Sequence, residues 1–340
     1  MPPFVPAAEL SQAFYVEVVR PHLSGEPHGA ALLGRGSDVL GYDSERSTDH
    51  GWGPRLLVFV DDNVAEIEAR LSAQLPESFR GWPVRFGWDE VPATHHVTVS
   101  PLRAWLVDYL GVDALEGMGV VDWLLTPQQR LLGVVAGAVY ADASGELARV
   151  RQTLAWYPDQ IWRWLLGCQW HRLAQEEAFV ARAAEVGDAS GSAVTAARLV
   201  RDLMRLALLL GRRYSPYQKW LGTAFGRSQQ RDGLLAHLGA TLAATETARR
   251  EEALGRAYLS VAGRHNAVGL TEPVEASLRD YHDRPAKVLM ADRFADACFA
   301  TVTDPVLRAL PPVGAVDQVV DSTDVLEQPT RYRRLAALYA

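Results

Sequence analysis

The spacing of apolar residues changes character at about residues 142–160, and this limits the chain to two architectures in series. Ahead of the change, "PRLLVFVDD", "WPVRFGW" and "HHVTVS" have the length and the β-branched or aromatic content of strands. Between and around them lie amphipathic segments. Residues 7–23 place Leu10, Phe14 and Val18 about one turn apart, "NVAEIEARLSAQL" puts Val64, Ile67 and Leu71 on one face, and "LRAWLVDYLG" closes at Gly111. Beyond the change, long stretches keep a helical period, among them "DQIWRWLLGCQWHRLAQEEAFVARAAEV" and "ARREEALGRAYLSVAGRHNAVG". In "SGSAVTAARLVRDLMRLALLLGRRY", Leu199, Leu203, Leu206 and Leu210 form one stripe, with Arg201, Arg205 and Arg212 mainly off it. No internal repeat is visible. The fold class expected is α+β, with a small mixed-sheet domain over residues 1–150 followed by an α-helical bundle over residues 151–340. The turn residues of "ADASGEL" and "WYPDQ" mark the boundary.

Composition narrows the function classes. The net charge is −7, which gives no global basic signal for nucleic acid. Lys219 and Lys287 are the two lysines, and every other basic residue is arginine. Cys168 and Cys298 lie far apart among apolar residues and read as buried thiols, with no metal-ligand spacing. The start "MPPFVPAAELSQAFYVEVV" lacks the pattern of a signal peptide. No apolar run approaches the ~20 residues of a membrane span. The expectation is a cytoplasmic protein that acts on small molecules, without nucleic acid or membrane partners; a homodimer is the assembly expected.

The segment that invites chemistry is "RGSDVLGYDSERSTDHGWGPR", residues 35–55, directly ahead of the strand "LLVFV". A Gly-Ser turn offers backbone N–H groups and a hydroxyl to an anion, the more so if a helix follows. Asp43, Glu45, Arg46 and Asp49 crowd the loop, and a carboxylate at a strand end is a Mg²⁺ ligand type. The competing reading is a capped turn carrying solvated charges.

Gly36-Ser37, a spacer, and Asp49 entering a strand resemble the pattern of the nucleotidyltransferase (polymerase beta-like) superfamily. More narrowly, "GSDVLGYDSERSTDHGWGPRL", "ARLVRDLMRLALLLGRRYSPYQKWLGTAF", "RHNAVGLTEP" and "VDQVVDSTDVL" resemble a bacterial family, domain of unknown function 4037, within that superfamily. The resemblance implies that Gly36 and Ser37 hold the β- and γ-phosphates of a nucleoside triphosphate, with ATP the expected nucleotide. It implies Asp49 as catalytic Mg²⁺ ligand and Arg46 and Arg55 as neutralisers of the triphosphate. The implied reaction is in-line transfer of a nucleoside monophosphate to a small-molecule hydroxyl, with pyrophosphate leaving. "RRYSPYQKW" is similar in style to the helical domains of aminoglycoside nucleotidyltransferases, which makes Tyr217, Lys219 and Trp220 candidates for a substrate wall where two domains meet; packing of one helix on another is the plain alternative.

The sequence departs from the superfamily pattern at position 51. A strand turns alternate side chains to one face, so the partner of Asp49 is Gly51 rather than an acid. Thr98 and Ser100 stand where a third acid is expected, and Asp89, Glu90 and Asp142 are substitutes that pattern alone does not place. The alternative function is therefore a catalytically altered nucleotidyltransferase fold, acting as a nucleotide-binding protein or in another reaction of secondary metabolism. His95 and His96 read as ordinary residues rather than metal ligands. His265 reads as a favourable charge at a helix end, and Asp317, Asp321 and Asp324 as a solvated cap.

Overall fold

The computed structural model describes residues 2–49, 51–88, 91–228, 233–284 and 286–340. The chain divides into two compact units. The first comprises residues 1–119 and 129–155, the second residues 120–128 and 156–340. A single cut at residue 150 therefore misses one detail, because the short segment 120–128 joins the second unit.

In the first unit, β1 (Gly29–Leu32), β2 (Arg55–Phe59), β5 (Arg85–Trp88), β6 (Val91–Ser100) and β7 (Ala138–Asp142) form one sheet in the order β5-β6-β2-β1-β7. β3 (Ser78–Phe79) and β4 (Trp82–Pro83) make a separate two-stranded pair. The sheet is mixed: β2 and β6 run parallel, whereas β1 is antiparallel to both β2 and β7, and β5 is antiparallel to β6. Its buried face carries Leu56, Val58, Val97 and Val99, which join Leu10 and Phe14 of α1 (Ala7–Phe14) and Ile67 and Leu71 of α2 (Val64–Gln74) in one core. Alternation decides this, since every second residue of β2 and β6 is apolar and turned the same way. The helical path expected over residues 7–23 exists but changes pitch. α1 passes into a π turn over Tyr15–Val19 and a 3₁₀ turn over Arg20–Leu23. Pro21 has no N–H to continue an α-helical ladder there. α3 (Leu102–Leu110) ends at Gly111 as expected.

α4 (Val120–Leu125) belongs to the second unit, and α5 (Gln128–Val135) leads back into the first, where β7 and α6 (Glu146–Thr153) complete it. The remainder is mainly helical, with one two-stranded antiparallel pair formed by Arg279–Asp280 and Lys287–Val288. α7 (Asp159–Glu176) buries Ile161, Trp162, Leu165, Leu166, Trp170 and Leu173 on several faces, as a central helix must. α7 packs on α9 (Ala189–Leu210) and α13 (Asp292–Ala300), and α9 in turn packs against α8 (Phe179–Glu185), α10 (Gln218–Arg227), α11 (Leu234–Ala243) and α12 (Thr247–Val268). The stripe Leu199, Leu203, Leu206 and Leu210 of α9 is buried, and the Trp162 indole N–H donates to the Leu209 carbonyl at 2.8 Å. The α+β expectation is thus met, with a mixed sheet first and helices after.

Two charge readings change. His265 is buried between Trp170 and Phe294, and burial pushes its imidazole down to about 4, so it is neutral rather than a charge at the helix end. The acids of residues 317–324 are paired rather than merely solvated. The Asp317 carboxylate accepts the Gln128 N–H, Asp321 pairs with Arg201 at 2.9 Å, and Asp324 pairs with Arg331 at 2.5 Å. Cys168 and Cys298 are free, buried thiols. Among the described residues, no helix is long and apolar enough to cross a membrane.

Candidate functional site

β1 leads into the turn at residues 34–42, which is tied down at several points. Gly34 N–H donates to the Gly133 carbonyl at 2.8 Å, and the Val39 carbonyl accepts from Gly137 N–H at 2.8 Å. Tyr42 N–H closes the turn onto the Ser37 carbonyl at 2.8 Å. Gly36 has φ +120°, and a Cβ there would fall 2.0 Å from Asp38 Oδ1 and 2.9 Å from Arg55 Nη2. Only glycine serves at such a position. The backbone N–H groups of Gly36 and Ser37, and the Ser37 hydroxyl, donate to no described residue. These are the donors an anion would use. No α-helix follows the turn, contrary to expectation; the chain runs on into a 3₁₀ turn over Glu45–Asp49.

Arg55 opens β2 and reaches back to this turn. Its Nε and Nη2 grip Asp38 Oδ2 and Oδ1 at 2.6 and 2.8 Å, and Nη2 also donates to the Arg35 carbonyl. The Asp38 carboxylate is nearly sealed from water, with its side chain 6% exposed. A bidentate guanidinium–carboxylate pair of this kind is directional and strong. Arg55 is therefore beside Gly36, as the triphosphate role requires, but its charge is already matched by Asp38. Sequence reasoning did not single out Asp38.

Asp49 does not enter a strand. It ends the 3₁₀ turn, and β2 begins only at Arg55. Its carboxylate pairs with Arg46 at 3.3 Å, both side chains being largely exposed. Asp43, another acid of the loop, is spent on structure: its Oδ2 accepts from Ala7 N–H at 2.8 Å and from the Trp52 indole N–H at 3.0 Å. Gly51 lies in an irregular stretch with φ +59°, where an added Cβ would come within 3.2 Å of the Trp88 ring. Positions 49 and 51 are thus not alternate residues of one strand. His50, Asp89 and Glu90 lie outside the described residues. Asp142 caps α6, accepting from Ala148 N–H at 2.8 Å. Among the described residues, no three of His, Cys, Asp and Glu stand close enough together to hold a metal ion. Asp49 and Glu45, at the two ends of the 3₁₀ turn, are the exposed loop carboxylates left to serve as a metal ligand.

The open face of the sheet adds a residue that the sequence did not promote. β2 and β6 pair Arg55 with His96 and Leu57 with Thr98. Arg55, Leu57, His96 and Thr98 line a cavity of about 110 Å³ against Ala31 and Leu33. His96 is part of β6 rather than a residue ahead of it. Its ring lies against Phe86 (centroids 4.1 Å apart) and stacks with Trp88 (5.4 Å), and its Nε2 is 2.9 Å from the Phe86 carbonyl. Burial holds the imidazole below its ordinary value; the Phe86 carbonyl opposes this, and the nearby Arg55 charge adds to it. His95 points to the other face and bonds Ser72 at 2.7 Å.

In the second unit, the Trp220 indole N–H donates to the Tyr217 hydroxyl at 2.7 Å, and the Lys219 ammonium lies 5.1 Å from the Trp220 ring centre. Lys219 is exposed, and the two aromatic residues are half-buried. The three therefore form one surface group.

These features define a mixed α+β chain whose first unit carries an anion-receptive turn beside an arginine. Residues 123–221 match the family model described as Domain of unknown function (DUF4037), which bears out the family resemblance over that segment. The match takes in Tyr217, Lys219 and Trp220 and does not reach the Gly-Ser turn. No curated protein matches the chain. Among solved structures, a nucleotidyltransferase-like protein from Exiguobacterium sibiricum 255-15 is similar over 88% of this chain and 91% of that chain, at 12% identity and a TM-score of 0.35. A likeness so slight carries nothing about the site.

Proposed function

We propose that this chain is a nucleotidyltransferase-type transferase that takes the phosphates of a nucleoside triphosphate, ATP in the first instance, at the turn following β1. The observation behind this reading is the set of unspent donors there: the N–H groups of Gly36 and Ser37 and the Ser37 hydroxyl, next to the Arg55 guanidinium. Arg46, exposed on the same loop, adds charge for the triphosphate. A bound Mg²⁺ would screen the phosphate charge. Mg²⁺ is often held by one or two carboxylates with substrate phosphates completing its shell, so Asp49 suffices as the protein's ligand. The acceptor is a small-molecule hydroxyl, with Tyr217, Lys219 and Trp220 as the group that recognises it. Two buried free thiols accord with a reducing, cytoplasmic setting.

A second reading has its own support. Gly51, packed on Trp88 at positive φ, leaves the loop without the acid pair of two-metal chemistry. On that reading the unit binds nucleotide without transferring it. Calorimetric titration with ATP, GTP, CTP and UTP, each with and without Mg²⁺, separates the cases. The transferase reading expects metal and nucleotide to bind cooperatively, an effect lost in Asp49→Asn. Nucleotide binding indifferent to Mg²⁺ and to Asp49 favours the second reading, and no binding of any nucleotide removes both.

A further inference from the structure

The open face of the sheet places an imidazole in register with Arg55 and lining the same cavity, to which no carboxylate among the described residues contributes. The tautomer of that imidazole follows from its surroundings. A carbonyl oxygen only accepts, so the 2.9 Å contact to the Phe86 carbonyl makes Nε2 the protonated nitrogen. Nδ1 of the neutral ring then carries the lone pair, and no described residue bonds it. Phe86 and Trp88 fix the plane of the ring, as the orienting partner of a catalytic histidine does. Among the described residues, two titratable groups act on it. Arg55 and His95 both disfavour the imidazolium, and Asp38 is occupied by Arg55. The ring is consequently a neutral base at neutral pH, beside a fixed guanidinium.

We propose that His96 is the general base of the first unit and removes the proton from the attacking hydroxyl through Nδ1. This rests on the transferase reading above. The hydroxyl oxygen forms a bond to the α-phosphorus as its proton passes to His96, and the bond from the α-phosphorus to the bridging oxygen breaks. Pyrophosphate leaves with that electron pair, and the imidazolium returns its proton to water. Nothing beyond the nucleotide and the hydroxyl is consumed. Thr98, next but one on the same strand face, borders the cavity and has no charge to compete for the proton.

The test pairs binding with turnover. His96→Gln keeps a side-chain N–H that can serve the Phe86 carbonyl, and His96→Ala opens space for free imidazole. Pyrophosphate release from ATP and Mg²⁺, with glycerol as the hydroxyl probe, is followed across the neutral range alongside calorimetric ATP affinity. ATP affinity should stay within about twofold in both variants. Release should fall at least about a hundredfold, the low end of a general base's contribution. The acidic limb of the wild-type pH profile should vanish, and added imidazole should restore release in His96→Ala alone. Unchanged release in His96→Gln, an acidic limb that survives the substitution, or a wild-type protein that binds ATP and releases no pyrophosphate overturns the assignment. Loss of ATP binding by the wild type sinks the transferase reading and this one together.

Discussion

Asp38 and Arg55 are joined by two hydrogen bonds of 2.6 and 2.8 Å, and this pair fastens the turn after β1 to the first residue of β2. The carboxylate is nearly sealed from water, while the guanidinium keeps a side-chain exposure of 23%. Breaking one side of a buried pair strands the other charge, which costs about 3–5 kcal/mol in deeply buried cases. Arg55 is partly solvated, so Arg55→Ala should cost less, roughly 2 kcal/mol. Urea unfolding followed by tryptophan fluorescence measures it. A midpoint equal to wild type would show that the turn is held by its backbone bonds alone.

Gly51→Asp offers the opposite kind of test. An aspartate there does not complete an acid pair with Asp49, because Gly51 sits at φ +59° against the Trp88 ring, ahead of β2. The substitution should destabilise by about 1 kcal/mol through left-handed backbone strain, with the ring contact adding to it. Mg²⁺ affinity in the presence of ATP should not rise. Metal binding tightened tenfold, by calorimetry, would restore the regular strand that the sequence suggested.

His265 predicts how the second unit answers acid. Trp170 donates to its Nδ1 at 3.1 Å, and its Nε2 meets the Thr271 hydroxyl at 3.0 Å, which is itself committed to the Glu272 carbonyl. The neutral Nε2–H tautomer satisfies both. Burial lowers its pKa from 6.5 to about 4. A depressed folded pKa gives stability that is present above the unfolded value and lost as pH falls from there through the folded one. The loss should therefore develop between about 6.5 and 4, and amount to at most about 3 kcal/mol. Melting temperatures across that window should drop in the wild type and drop less in His265→Asn. Parallel curves would remove His265 as the cause.

What the sequence disclosed and what it hid divide by range. Gly36 and Ser37 were legible because a turn needing φ > 0 and a free hydroxyl announces itself in two adjacent letters. The strand at 55–59 and the helices of the second half were legible from period alone. Asp49 was misplaced because alternation was extended upstream through Trp52-Gly53-Pro54, where Pro54 has no N–H for a ladder and pairing starts only at Arg55 with His96. Asp38 was overlooked because its partner is 17 residues away in sequence and adjacent only after β1 and β2 pair. His96 stayed hidden because its neighbour on the open face is set by the register of a parallel pair, which no local pattern encodes. A sequence signal did exist, since His96, Thr98 and Ser100 share one face of the strand.

The claim that the turn after β1 is a phosphate site is tested most directly by calorimetric titration of Mg²⁺-ATP into the wild type, Ser37→Ala and Arg46→Ala. Neither side chain holds the fold: the Ser37 hydroxyl has no partner among the described residues, and Arg46 is 92% exposed. Hydrogen bonds to charged groups contribute roughly 1.5–3 kcal/mol, so each substitution should weaken binding at least tenfold. Equal affinity in all three folded proteins would contradict the account and place the nucleotide, if one binds, elsewhere in the chain.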